Sequence, residues 1–234
     1  MGHLREAGVP FGVSMTATSK NINLLLKDRI YDYFLKEQGA VYMWIFHLMP
    51  IGNAVSGFKL MINPQQRVQL FRQIEHLMKK KSYFIADFWN SGHAAQGCIG
   101  YGRGQGYFYI DWDGKIMPCV FVPYYVDNIN DIYSKEGSIT KALFSDFFNR
   151  GRSWQDSYGY SDAKKTSNWL RTCSIRDHYS NFKHNILTKD AKPEDENAAA
   201  AIKSKKYERT LVDFDRTLAK LTDPIWKKEF ESKG

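Results

Sequence analysis

The stretch VYMWIFHLM, Val41 to Met49, is nearly continuous in apolar side chains, the pattern of a strand buried on both faces of a parallel sheet. Upstream, FGVSMTA (Phe11 to Ala17) follows Gly8-Val9-Pro10 and reads as another short strand. Between the two, Thr18 or Ser19 can cap a helix on which Ile22, Leu25, Leu26, Ile30, Tyr33 and Phe34 recur at helical spacing; Gly39 stops it. Downstream, Asn63-Pro64 supplies a cap and a first-turn proline. The helix it opens carries Val68, Phe71, Ile74, Leu77 and Met78 as its buried stripe and closes on Lys79, Lys80 and Lys81, where the helix dipole favours cations. YFIADFW, Tyr83 to Trp89, is a third strand.

Strand, helix, strand, helix, strand predicts an α/β unit with parallel strands. Ligands of such sheets bind at the carboxyl ends of the strands. Those ends carry Ser14, Thr16 and Thr18, then Met49 to Asn53, then Asp87, Trp89 and Asn90. Position alone fits loop starters and caps equally well. Three strands are few for a parallel sheet, the first would show an unpaired apolar edge, and Met1 to Gly8 reads as the end of a helix. The expectation is the C-terminal part of a partial TIM-like (β/α) barrel over residues 1–90, completed by a missing N-terminal segment or a partner chain.

Composition agrees with a folded protein. Of 234 residues, 43% are apolar and 25% charged, which excludes wholesale disorder. The net charge of +8 suits an anionic ligand or nucleic acid, but also plain solubility. The opening residues have no apolar h-region, Glu6 breaks the myristoylation pattern, and the run ending at Gly52 is too short to span a bilayer. A cytoplasmic protein without membrane contact is expected.

At Asn90 the composition changes. Ser91 to Gly106 is glycine-rich, yet no register satisfies G-x-G-x-x-G, and the segment leads into a strand, so it is no dinucleotide fingerprint. YFYIDW (Tyr107 to Trp112), Asp113-Gly114 and KIMPCVFV (Lys115 to Val122) read as a hairpin. Pro118 makes the return strand an edge, or bulged at that point. The three cysteines, Cys98, Cys119 and Cys173, cannot all pair within one chain, so reduced thiols or metal ligands are more natural than a disulfide-stapled fold. Cys98 and Cys119 stand in the spacing C-x15-G-x4-C, and the hairpin brings them back toward one site. A thiolate pair at the foot of a hairpin suits an iron–sulfur cluster or structural zinc.

The stretch GCIGYGRGQGYFYIDWDGKIMPCVFVPY resembles the first half of a SPASM or twitch domain, the auxiliary-cluster domain at the C-terminus of many radical S-adenosylmethionine enzymes. The preceding strands and helices resemble the last third of that family's partial barrel, so the likeness runs from the start of the chain to about Tyr179. It implies a small α+β cluster-binding domain over residues 91–188, with Cys98, Cys119 and Cys173 as three ligands of one auxiliary [4Fe–4S] cluster. His178 is the candidate fourth ligand; zinc held by the same four residues is the alternative. The likeness also implies S-adenosylmethionine contacts at Ser14 and Thr16 and at Pro50, Ile51 and Gly52. The chain departs from the family by lacking the CxxxCxxC triplet that holds the S-adenosylmethionine-cleaving cluster. By this reading the chain is not catalytic alone, and its substrate is a small molecule or a peptide. A zinc- or cluster-stabilised module acting as a partner subunit is the competing reading.

Ser138 caps a helix carrying Ile139, Ala142, Leu143, Phe144 and Phe147. Between Gly151 and Trp169 basic and aromatic residues interleave as in single-strand nucleic-acid sites, but packing around a cluster domain explains them better. Residues 189–234 read as a linker (Lys189 to Asn197) and a terminal helix (Ala198 to Lys220) with Ile202, Leu211, Phe214, Leu218 and Leu221 on its apolar side.

Overall fold

A computed structural model describes residues 1–104, 106–160 and 167–231. It divides into two compact units: residues 1–48 with 57–91, and residues 49–56 with 92–234.

The first unit begins with helix α1 (Gly2–Glu6) and strand β1 (Gly12–Ala17). Helices α2 (Ile22–Leu25) and α3 (Asp28–Tyr31) follow, then a π-helical turn, Asp32–Glu37. Strand β2 (Tyr42–His47), helix α4 (Pro64–Lys81) and strand β3 (Ile85–Asp87) complete it. The sheet order is β1-β2-β3, parallel throughout, with Ser14 opposite Trp44 and Ile45 opposite Asp87.

Strand β2 corrects the first expectation. Its side chains alternate: Met43, Ile45 and His47 are buried, while Tyr42 and Trp44 are 39% and 43% exposed. The buried side chains pack with Ile22 and Leu25 of α2, Tyr31 of α3, and Leu70, Ile74 and Leu77 of α4. These helices cover the face carrying Met43 and Ile45. An unbroken apolar run therefore marks a strand with one covered face and one aromatic face, not a strand buried twice.

The expected helix over Ile22 to Phe34 is broken at Lys27, whose backbone is extended. Tertiary ties account for the break. The Tyr31 hydroxyl donates to the Leu25 carbonyl (2.8 Å), and Lys81 reaches both Asp28 and Asp32 at 2.9 Å. Helix α4 starts as expected, with a reciprocal capping box between Asn63 and Gln66. Its stripe is rotated, however: Met78 is 44% exposed and Arg67 is buried, because Arg67 donates to Asn90 Oδ1 (3.0 Å) and to the Trp89 carbonyl.

The second unit is built on short strands. Strands β4 (Tyr109–Ile110) and β5 (Lys115–Met117) form the hairpin, and β5 also pairs with β7 (Asp127–Asn128). β5 is thus central, not an edge; it ends one residue before Pro118, so the missing N–H costs no ladder bond. The turn holds Trp112, Asp113 and Gly114, with Gly114 at φ 85° and the Asp111 carboxylate accepting from the backbone N–H groups of Asp113 and Lys115. Strand β6 (Tyr124–Tyr125) pairs with β8 (Lys192–Pro193), so part of the expected linker is a strand.

Helices α5 (Ile129–Tyr133), α6 (Thr140–Leu143), α7 (Asp146–Gln155), α8 (Tyr179–Asn181), α9 (Glu196–Lys203) and α10 (Lys205–Glu229) supply the rest. Two expected helices are each split by a serine whose hydroxyl caps the next segment: Ser145 caps α7 and Ser204 caps α10. No helix of the described residues is long and apolar enough to cross a membrane.

Candidate metal centre

The hairpin places Cys98 and Cys119 side by side. Tyr101 N–H donates to the Pro118 carbonyl and Tyr107 N–H to the Ile99 carbonyl, both at 2.8 Å, stitching the glycine-rich segment to the return strand. Gly100 is the point of closest approach. A Cβ there would stand 3.1 Å from the Pro118 carbonyl, 3.3 Å from Cys119 Cβ and 3.7 Å from Cys98 Sγ. A side chain at position 100 would crowd the Pro118 carbonyl and the Cys119 Cβ, which gives this glycine its reason.

Cys173 joins them from a distant loop. Tyr101 is fully buried, and its hydroxyl shares a 2.8 Å hydrogen bond with Ser174 Oγ, the neighbour of Cys173. Its ring packs edge-on to Phe147 and Phe148 and lies against the backbone of α7 at Gly151, where a Cβ would overlap it. The Asp177 carboxylate accepts from Cys173 N–H (3.2 Å), and Asp177 N–H donates to the Cys173 carbonyl (2.8 Å). The three thiols feel one another's charge, and all three act on the Tyr101 phenol.

Each sulfur also faces a backbone N–H two or three residues ahead: Gly100 for Cys98, Phe121 for Cys119 and Arg176 for Cys173. Such donors favour the thiolate. Burial works the other way and prevails: Cys119 is pushed up to about 12, with the neighbouring thiols adding to it, Cys173 up to about 11, with the Asp177 charge adding to it, and Cys98 is also raised. Without a cation the thiols keep their protons at neutral pH; a bound cation would release them. The Tyr107 hydroxyl lies 2.8 Å from Cys119 Sγ. Among the described residues, no three His, Cys, Asp or Glu side chains are set as a ready metal-ligand shell. The donor set nevertheless fits a soft-metal group: three thiols, each with its own N–H.

His178 packs against Trp154 (5.3 Å) and edge-on to Tyr158 (4.7 Å), and its Nε2 lies 2.9 Å from the Arg171 carbonyl. A carbonyl only accepts, so Nε2 carries the proton and Nδ1 keeps its lone pair. Burial pushes the His178 pKa down and keeps the ring neutral, the form that ligates metals. The same contacts turn Trp154 and Tyr158 toward packing. Arg152 likewise donates to the Tyr101 and Leu143 carbonyls at 2.8 and 2.7 Å. Residues 161–166 of that interleaved stretch lie outside the described residues.

The expected S-adenosylmethionine contacts fall into both units. Ser14 and Thr16 are exposed on the open sheet face. Ser14 lines a hollow of about 290 Å³ with Gly12, Tyr42, Trp44 and Phe46. Pro50, Ile51 and Gly52 belong to the second unit and line a small hollow with Tyr124, Tyr179 and Tyr207; the Tyr207 hydroxyl donates to the Pro50 carbonyl (3.0 Å).

Two features were not anticipated. His47 and Asp87, at the carboxyl ends of β2 and β3, form a fully buried pair with Nε2 to Oδ2 at 3.0 Å. Asn90 Nδ2 donates to the same carboxylate (2.7 Å), and Trp89 stacks on the His47 ring. The other is a pocket against Cys98 lined by Arg103 and Gln155; an arginine between glycines, in GYGRGQG, was the available sign of it.

No family model matches the chain, and no solved structure matches it. Over 150 residues it is 25% identical to a protein described as an AdoMet-dependent heme synthase from Methanosarcina barkeri, an alignment covering 55% of this chain and 41% of that protein. The chain thus spans less than half the length of this relative. The similarity supports a distant relationship to the radical S-adenosylmethionine enzymes.

Proposed function

We propose that this chain is the C-terminal portion of a radical S-adenosylmethionine enzyme, in which Cys98, Cys119 and Cys173 hold an auxiliary [4Fe–4S] cluster in a SPASM- or twitch-like domain. What supports the reading is three cysteines from separate segments that act electrostatically on one another and on the buried Tyr101 phenol, with the Phe121 N–H 3.5 Å from Cys119 Sγ. Soft thiolates suit iron–sulfur clusters, and N–H groups aimed at sulfur are among the protein's means of tuning them. The similarity to an AdoMet-dependent enzyme supports the cofactor half of the proposal.

In this reading the hairpin and the 173–177 loop fix the thiolates, Tyr107 donates to Cys119, and the neutral His178 is the fourth donor. Phe147, Phe148 and Tyr101 form a dry floor. When bound, such a cluster supplies one-electron transfer or an iron able to hold a substrate atom. The parallel strands are the last part of a partial barrel. Ser14 and Thr16, exposed on the open sheet face, would contact S-adenosylmethionine, and the substrate would be a small molecule or peptide. The ligands of the S-adenosylmethionine-cleaving cluster must come from outside these 234 residues, from an upstream segment or a partner chain.

The test is anaerobic reconstitution with iron and sulfide. A broad visible absorbance, lost in each of Cys98→Ala, Cys119→Ala and Cys173→Ala, supports the cluster. A colourless protein that retains zinc and loses it in His178→Ala points instead to a structural Cys/His site.

A further inference from the structure

We infer that helix α10 positions the third cysteine of the candidate site, with the Asp215 carboxylate acting through Arg171. Tyr207, Leu211, Leu218, Thr222 and Trp226 recur at helical spacing and form a buried face of α10. The segment 168–178, which carries Cys173 and His178, is fastened along this helix. Arg171 Nε donates to Asp215 Oδ1 at 3.0 Å, and a second guanidinium nitrogen converges on the same oxygen. Asn168 Nδ2 donates to Thr222 Oγ1 (2.8 Å) and to Asp223 Oδ1 (2.7 Å). Trp169 packs on Trp226 (5.8 Å), and the Arg176 guanidinium lies over the Phe214 ring (5.6 Å).

Arg171 is the joint of this arrangement. Its side chain, 13% exposed, is tied to α10. Its carbonyl accepts from His178 Nε2 (2.9 Å), and its main chain reaches Cys173 two residues later. One ion pair therefore holds the residue on which both expected ligands hang. Cys98 and Cys119 are placed differently, by the hairpin's own backbone hydrogen bonds. Removing one partner of a shielded pair leaves the other charge uncompensated, and a guanidinium so left turns toward water and draws its loop along. Asp223 is the nearest substitute, 3.7 Å from Arg171 Nη1. It is 57% exposed and already accepts from Asn168, and a carboxylate in water holds a cation weakly. As the positioning of a metal ligand this inference rests on the proposed function; as a clasp on the Cys173 segment it does not.

The test is alkylation of the reduced, metal-free full chain with iodoacetamide, read cysteine by cysteine from peptide masses. A thiol reacts as its thiolate, so one that leaves its buried setting regains ordinary reactivity, and its rate follows the population of the opened loop. In Asp215→Ala and Asp215→Asn, Cys173 should react about tenfold faster or more, while Cys98 and Cys119 stay within about twofold of wild type. Asp215→Glu, which keeps the carboxylate, should return Cys173 most of the way to the wild-type rate. Asp215→Asn nearly keeps the native shape, so it carries the comparison if Asp215→Ala does not fold. Equal acceleration of all three thiols would mean general loosening; an unchanged Cys173 would mean that Asp215 does not hold it; no rescue by Asp215→Glu would mean that the carboxylate is not the agent. Each of these overturns the inference. Because alkylation is read on metal-free chain, failure to assemble a cluster would sink the proposed function and leave this result standing.

Discussion

The Tyr107 hydroxyl sits 2.8 Å from Cys119 Sγ, joining the start of the hairpin to the cysteine at its foot. Burial and the nearby thiol both hold the phenol protonated, so it is the donor once the sulfur is a thiolate. Tyr107→Phe should leave the fold and iron content intact while moving the reduction potential of the reconstituted protein downward, because a donor that stabilised negative charge on sulfur is gone. Loss of about 1 kcal/mol of stability in urea should accompany it. An unchanged potential would remove Tyr107 from the site.

Metal uptake should be strongly pH-dependent. Burial holds Cys119 up to about 12 and Cys173 up to about 11, so both arrive protonated at neutral pH. Ligation must expel those protons, and apparent affinity should climb ~10-fold per pH unit for each proton released. Cobalt(II) binding, followed by its thiolate absorbance between pH 6.5 and 8.5, should show this slope.

The His47–Asp87 pair should govern the acid stability of the first unit. Burial alone would raise the Asp87 pKa, but the His47 charge and hydrogen bond, the Asn90 N–H and the Arg67 charge outweigh it and hold the carboxyl below its ordinary range. A depressed carboxyl pKa stabilises the fold above the unfolded value of about 3.9 and loses that contribution as pH falls through the folded value. Asp87→Asn should flatten the acid limb of the stability curve. At pH 7, Asp87→Ala should cost about 3–5 kcal/mol by leaving buried partners uncompensated.

The one-sided sheet is testable on adjacent residues. Ile45 is fully buried and Trp44 is 43% exposed. Ile45→Ala should cost about 2–5 kcal/mol, whereas Trp44→Gln should cost well under half as much. Urea unfolding of the two variants measures both; similar losses would show that the aromatic face is covered.

Much of this was legible in the sequence, for local reasons. Asn63-Pro64 with Gln66 announces a capping box, and Asp113-Gly114 a tight turn, because each signal lies within a few residues. What escaped depends on distant partners. The run from Val41 to Met49 does not reveal that helices cover one face only, since aromatic residues satisfy an open face as well as a buried one. Lys81, holding Asp28 and Asp32, breaks a helix that periodicity alone would extend. Ser145 and Ser204 were readable as caps, but apolar spacing ran straight through them. At the candidate site the three cysteines were visible by spacing and resemblance. Tyr101 was not, because its role exists only once the hairpin, helix α7 and the 173–177 loop meet.

The most direct measurement is the iron and acid-labile sulfide content of the anaerobically reconstituted chain, taken with the spectrum of its reduced form. About four irons and four sulfides per chain, falling sharply in Cys119→Ala, is the result expected of a three-cysteine auxiliary cluster. One zinc per chain and no sulfide, with an unchanged fold, would contradict it.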